Sequence, residues 1–98
     1  MDSTRLATFV ASAQQLLMQR LDRMTVPAEQ ARYFEMRVRQ SIAELERQGI
    51  TLSDTSVDDL MLVVDLAAWN HANRDKPGEQ PTWLRTKIRG RWVNDDPR

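Results

Sequence analysis

Residues 57–74, VDDLMLVVDLAAWNHANR, decide the fold. Leu60, Met61, Leu62, Val63, Val64, Leu66, Ala67, Ala68 and Trp69 leave almost no polar face at the helical period. A helix that is apolar nearly all round has to be covered by neighbours on more than one side. The stretch therefore predicts the central helix of an all-α domain. Ser56, three residues ahead of Asp59, reads as a shortened capping box, and Asp58 and Asp59 suit the positive end of the helix dipole.

Upstream, residues 51–56 (TLSDTS) read as a capped loop, with 50–55 the one stretch that could form a short extended piece. Before it, Ala31, Phe34, Val38, Ile42 and Leu45 recur at spacings of three and four, with Ser41 beside them, and predict a helix over 27–48. Thr25 is a good N-cap for it, and Pro27 is tolerated in a first turn, where its missing N–H costs nothing. Gly49 falls where a left-handed residue closes a helix, and Ile50 can then fold back on the helix end. Leu6, Phe9, Val10, Ala13, Leu17 and Leu21 predict a first helix over 3–22, capped by Asp2 or Ser3, with Ser12, Gln15 and Gln19 on its wet face.

Downstream, Asp75-Lys76-Pro77-Gly78-Glu79-Gln80 reads as a turn, with Pro-Gly in the central positions of type II. Pro81 opens a short last helix over 81–93, which Gly90 weakens by about 1 kcal/mol relative to alanine. The tail 94–98 reads as frayed. The expectation is one domain, 1–98, a small bundle of about four helices with the third central and the fourth short.

Composition narrows the chemistry. A chain of 98 residues, 41% hydrophobic and 29% charged, fits one globular core. At this length only about 60–70% of the unfolded surface is buried, so stability is thin and partners can add to it. Cysteine is absent and His71 is the single histidine, which excludes disulfides, thiolate chemistry and the usual zinc sites. No metal or cofactor is expected. No apolar run is long enough to span a bilayer, and Asp2 without a basic stretch reads as no signal peptide.

Two residues invite a catalytic reading. Asp65 is an acid inside the apolar helix, where burial without a partner would cost several kcal/mol or force protonation. His71 lies further along the same helix. The plainer reading gives Asp65 a salt bridge to an arginine of the last helix, or simple exposure beside Asp58, and has Asn70, His71 and Asn73 complete hydrogen bonds near the helix end. Six positions apart, Asp65 and His71 sit about 120° from each other around the helix, which argues against a joint hydrolase site. No nucleophile, phosphate loop or metal-ligand spacing accompanies them. The chain reads as no enzyme.

The charges say more. Basic and acidic residues number 14 each, but they are not mixed. Residues 51–73 hold four acids (Asp54, Asp58, Asp59, Asp65) and no base. Residues 74–92 hold six bases (Arg74, Lys76, Arg85, Lys87, Arg89, Arg91) against Asp75 and Glu79. Either the blocks pair within the fold, or they face other molecules; opposed patches on one small domain favour head-to-tail contacts that close into rings. In the last helix Trp83 and Trp92 accompany the arginines, the residue types enriched at interface hot spots. Trp83 closing the core and Trp92 packing on the first helix are the plainer alternatives. Arg85 and Arg89 share one side of this helix, and Trp83, Lys87 and Arg91 another.

The segment 58–93, DDLMLVVDLAAWNHANRDKPGEQPTWLRTKIRGRWV, resembles the C-terminal half of the head–tail connector (adaptor, head-completion) proteins of tailed phages and prophages. The apolar helix, the Arg-Asp-Lys-Pro-Gly turn, Pro-x-Trp-Leu-Arg and the arginine-rich end carry the likeness, and the helix closing at Gly49-Ile50 extends it to residues 28–93. An evident long loop of the fuller pattern is missing. The resemblance implies a non-enzymatic virion protein at the head–tail junction, made in the host cytoplasm. It would form a ring of its own copies between portal and tail or stopper protein, touching channel DNA at most non-specifically. It further implies a docking element of Pro81, Trp83, Leu84, Arg85, Arg89, Arg91 and Trp92, with Asp54, Asp58 and Asp59 meeting the basic end of a neighbouring copy. The alternative is a small nucleic-acid-binding or regulatory domain that uses the basic last helix on phosphates.

Overall fold

The computed structural model describes residues 2–22, 27–75 and 78–95, with side chains as far as Arg91. Four helices follow in chain order: α1 (Ser3–Arg20), α2 (Ala28–Arg47), α3 (Val57–Ala72) and α4 (Thr82–Asp95). Among the described residues there is no strand, and the all-α reading holds. The possible extended piece at 50–55 is a loop instead. Thr25, Lys76 and Pro77, to which a cap and the heart of a turn were assigned, lie outside the described residues.

The helix ends follow local chemistry. The Asp2 carboxylate accepts the Arg5 N–H at 2.8 Å and starts α1. That helix ends two residues earlier than its periodicity predicts, because Asp22 turns to φ 57°. Aspartate is one of the few non-glycine residues that enters this region readily. Pro27 stands at the N-cap of α2 without a side-chain bond, and its carbonyl accepts the N–H groups of Gln30 and Ala31 at 3.0 and 3.1 Å. At the other end Gly49 adopts φ 92°. The Ile50 N–H reaches the Leu45 carbonyl at 3.1 Å and the Gly49 N–H reaches that of Glu46 at 3.0 Å, the paired bonds of a Schellman close. α3 also stops two residues early. Asn73 caps it, its Nδ2 donating to the Trp69 carbonyl at 2.9 Å, while Arg74 donates to that of His71. α4 runs two residues further than expected, to Asp95.

α1, α2 and α3 pack against one another, and α4 lies chiefly on α3. The core takes Phe9, Val10, Ala13 and Leu17 from α1, and Phe34, Val38, Ile42 and Leu45 from α2. From α3 come Leu62, Val63, Val64, Leu66 and Ala67, and from α4 Leu84 and Ile88. Ile50 and Leu52 tuck the 51–56 loop beneath the helices. Ser41, fully buried on α2, donates its hydroxyl proton to the Arg37 carbonyl at 2.9 Å, so it enters the core with its polar atom satisfied. Among the described residues no buried side-chain polar atom lacks a partner.

Gly90 sits on exposed helix with nothing within 4 Å of where a Cβ would stand. Gly90→Ala removes backbone entropy from the unfolded chain without a steric cost. It should raise stability by about 0.5–1 kcal/mol, read as a higher urea midpoint at unchanged m-value.

Candidate functional site

The acidic and basic blocks meet along the seam between α3 and α4. Asp59 is 1% exposed. Its carboxylate accepts Arg91 Nε at 2.5 Å and Nη2 at 3.1 Å, and it takes the Ser53 N–H at 2.8 Å. Arg91 also donates from Nη2 to the Thr51 carbonyl at 2.6 Å, binding the loop to α4. The capping box is thus half formed. The Ser56 hydroxyl accepts the Asp59 N–H at 3.2 Å, but the Asp59 side chain serves Ser53 and Arg91 rather than the N-cap.

Six residues on, Asp65 is 6% exposed. Its two oxygens divide between Arg20 Nη1 of α1 at 2.6 Å and Lys87 Nζ of α4 at 2.8 Å. Burial alone would push this carboxyl up; the hydrogen bonds from Lys87 and Arg20, with their charges, outweigh it and hold it below the usual carboxylate range. Asp54 pairs with Arg5 of α1, whose Nε donates to Oδ2 at 2.7 Å, and the hydrogen bond from Arg5 likewise holds the Asp54 carboxyl low.

These pairs correct several expectations. Asp59 is an internal anchor, too buried to meet a neighbouring copy. Asp54 is engaged by Arg5 within the chain, which leaves Asp58, exposed and in no ion pair among the described residues, as the acid of that set turned outward. In the docking set, Leu84 is fully buried and holds α4 to the core, and Arg91 is spent on Asp59. Pro81 is half-buried, and its carbonyl accepts the Leu84 and Arg85 N–H groups. The Trp92 side chain lies outside the described residues. What remains outward is Trp83, 51% exposed, with Arg85 and Arg89. Trp83 does not close the core; its ring lies under Lys87 Nζ at 5.6 Å, a cation–π contact.

Asp65 and His71 face different neighbours. Asp65 turns to α1 and α4, while His71 Nδ1 lies 3.0 Å from the Tyr33 hydroxyl of α2. That hydroxyl also accepts Arg37 Nε at 2.9 Å, and the His71 ring packs edge-on to Phe34. Among the described residues no three His, Asp or Glu side chains converge as metal ligands.

Among the described residues three concavities border α4. One, of about 270 Å³, is lined by Asp58, Met61, Leu62, Asp65, Lys87 and Arg91. A second, of about 470 Å³, is lined by Gln48, Gln80, Arg85, Ile88 and Arg89. A third, of about 280 Å³, is lined by Thr82, Arg85, Thr86 and Arg89. Family models, characterised proteins and solved structures offer no match to this chain. Its own geometry is therefore what bears on its role.

Asp65 is buried and paired, but its partner on the last helix is Lys87 and not an arginine, and Arg20 of α1 is the second; Arg5, Arg20 and Tyr33 carry no role in the sequence reading. Arg20 stands three residues after Leu17, at the edge of the α1 stripe, and Tyr33 directly precedes Phe34. A charged or polar-tipped side chain bordering an apolar stripe is the signal that marks such partners.

Asp65→Asn should lower stability at neutral pH. Because the folded carboxyl titrates below its unfolded value of about 3.9, the wild-type advantage is full above that pH and lost as pH falls through the folded value. Urea midpoints of both proteins between neutral and acid pH should converge below about pH 4. Asp59→Ala strands a partly buried guanidinium and the Ser53 N–H, and should cost about 3 kcal/mol in the same assay.

Proposed function

We propose that the protein is a non-enzymatic structural subunit of the head–tail connector of a tailed phage or prophage, acting by self-assembly and by docking on the portal. The observation that carries the reading is the outward row of α4. Arg85 and Arg89 are exposed and in no ion pair among the described residues, and Trp83, also exposed, stands on the Lys87 flank of the same helix. The opposite side of the same helix is fixed to α3 by Leu84, Ile88, Lys87 and Arg91. A rigid helix that presents arginine and tryptophan outward is suited to a protein partner. The likeness of residues 28–93 to connector proteins names the setting. It supports copies of the chain, the portal and the tail or stopper protein as partners, and the head–tail junction of the virion as the location. Contact with DNA would be limited to the channel. Among the described residues no helix is long and apolar enough to cross a membrane.

A nucleic-acid-binding role for the same helix is the second reading, since Arg85 and Arg89 also suit phosphates. Two outward arginines give it a shallow salt dependence at best, about −0.9 per phosphate neutralised.

The test mixes purified protein with tailless phage heads and follows co-sedimentation and density at the portal vertex. Wild type should add a ring of repeated density there. Arg85→Glu with Arg89→Glu should keep full helicity, because neither side chain holds the fold, and should lower head occupancy at least about tenfold, the loss of roughly 1.4 kcal/mol. Absence of wild-type binding to cognate heads overturns the connector role, and salt-dependent duplex binding then favours the second reading.

A further inference from the structure

Once the internal ion pairs are subtracted, α3 keeps one outward acid and α4 two outward bases. Of the four acids in residues 51–73, Asp54, Asp59 and Asp65 are consumed by Arg5, Arg91, Arg20 and Lys87. Asp58 is left, in the first turn of α3, beside Val57, which is 71% exposed. On α4 the bases left are Arg85 and Arg89.

These remainders lie on different flanks of α4. Asp58 borders the concavity that Lys87 and Arg91 share, whereas Arg85 and Arg89 border the one with Gln48, Gln80 and Ile88. With α4 between them they do not meet in one chain. Between two chains they can, and each copy then offers one projecting turn and one groove.

The groove fits such a visitor in three respects. Arg85 and Arg89, one helical turn apart, form a cationic pair that a carboxylate can bridge. Ile88, nearly buried, gives the groove an apolar floor for a valine. Gln48 is the C-cap of α2, the negative end of that helix dipole, and an incoming first turn of α3 brings a positive end. Glu44, bonded to Gln80 at 3.4 Å on the groove's rim, repels an acid that misses the arginine pair and so favours one register.

We infer that the groove between the end of α2 and α4 receives the first turn of α3 from a second copy of this chain, with Asp58 between Arg85 and Arg89 and Val57 over Ile88. The inference rests on the self-assembly part of the connector reading and gives it a contact: it assigns Arg85 and Arg89 to the neighbouring copy, so that their reversal empties heads through lost assembly, and leaves exposed Trp83 on the other flank for docking. It is head-to-tail, so it propagates from copy to copy and closes into a ring where the rotation permits.

The absence of cysteine from the chain makes the test clean. Full-length Val57→Cys and full-length Gln48→Cys each carry one exposed thiol and keep Asp58, Arg85 and Arg89 intact. Mixed and oxidised at low salt, they should form the mixed disulfide at least about tenfold faster than Val57→Cys does with Ser12→Cys, a thiol on the wet face of α1. Arg85→Glu and Arg89→Glu added to the Gln48→Cys chain should reduce the rate to that control. Asp58→Arg added to the Val57→Cys chain should then restore it. A mixed rate equal to the control from the outset, or a charge reversal without effect, overturns the contact. The head-binding assay separates the two levels. Heads that gain wild-type density without preferential cross-linking sink this contact and keep the connector role. Preferential cross-linking without head binding keeps the contact between copies and sinks the connector role.

Discussion

A carboxylate buried on the most apolar helix is the constraint from which the rest of this structure follows. Asp65 interrupts a run that otherwise needs nothing but apolar cover, and a charge at that depth is tolerable only with partners that match both oxygens. Arg20 supplies one and Lys87 the other, from different helices. The acid therefore does what an apolar residue could not: it fixes where α1 and α4 lie along α3. Asp59 repeats the device six residues earlier, with Arg91 and the loop carrying Ser53 and Thr51. Neither pair need add much net stability, since the solvation lost by each charge offsets most of what pairing returns. Their effect is positional.

That division explains why α4 behaves differently on its two sides. Residues two apart on a helix lie about 200° apart, so Lys87 and Arg91 form one row and Arg85 and Arg89 a row nearly opposite. The inner row is committed to Asp65 and Asp59. The outer row is not, and both of its arginines are exposed. Four bases of one short segment thus serve two tasks, set by nothing more than helical phase.

Much of this was legible in the residues. The apolar girdle of 57–74 gave the central helix, and three-and-four spacing gave the stripes of α1 and α2. Gly49 marked its Schellman close. The sorting of Arg85 with Arg89 and of Lys87 with Arg91 also follows from helical phase alone. What phase cannot supply is which row faces inward, because that depends on how α4 crosses α3. For that reason Leu84, Arg91 and Asp59 were read as contact residues when they are anchors. The ends of α1 and α3 were misplaced by two residues for a related reason. An apolar or helix-compatible residue does not reveal that the next backbone unit turns left-handed at Asp22, or that Asn73 folds back on Trp69.

The thin stability of so short a chain gives the outer row its meaning. Three of the four acids in one block are neutralised within the fold, so the domain carries little internal electrostatic debt that assembly would have to resolve. The complementary features on the two flanks of α4 are small: one acid with a valine on one, two arginines beside an isoleucine on the other. A surface of that size does not hold two free copies together tightly, because association entropy alone offsets several kcal/mol. In the proposed ring, where the contact repeats, it would gain from effective concentration what it lacks in area. Weak, directional and repeated contacts are what a subunit needs if it is to remain dispersed until its site of assembly exists.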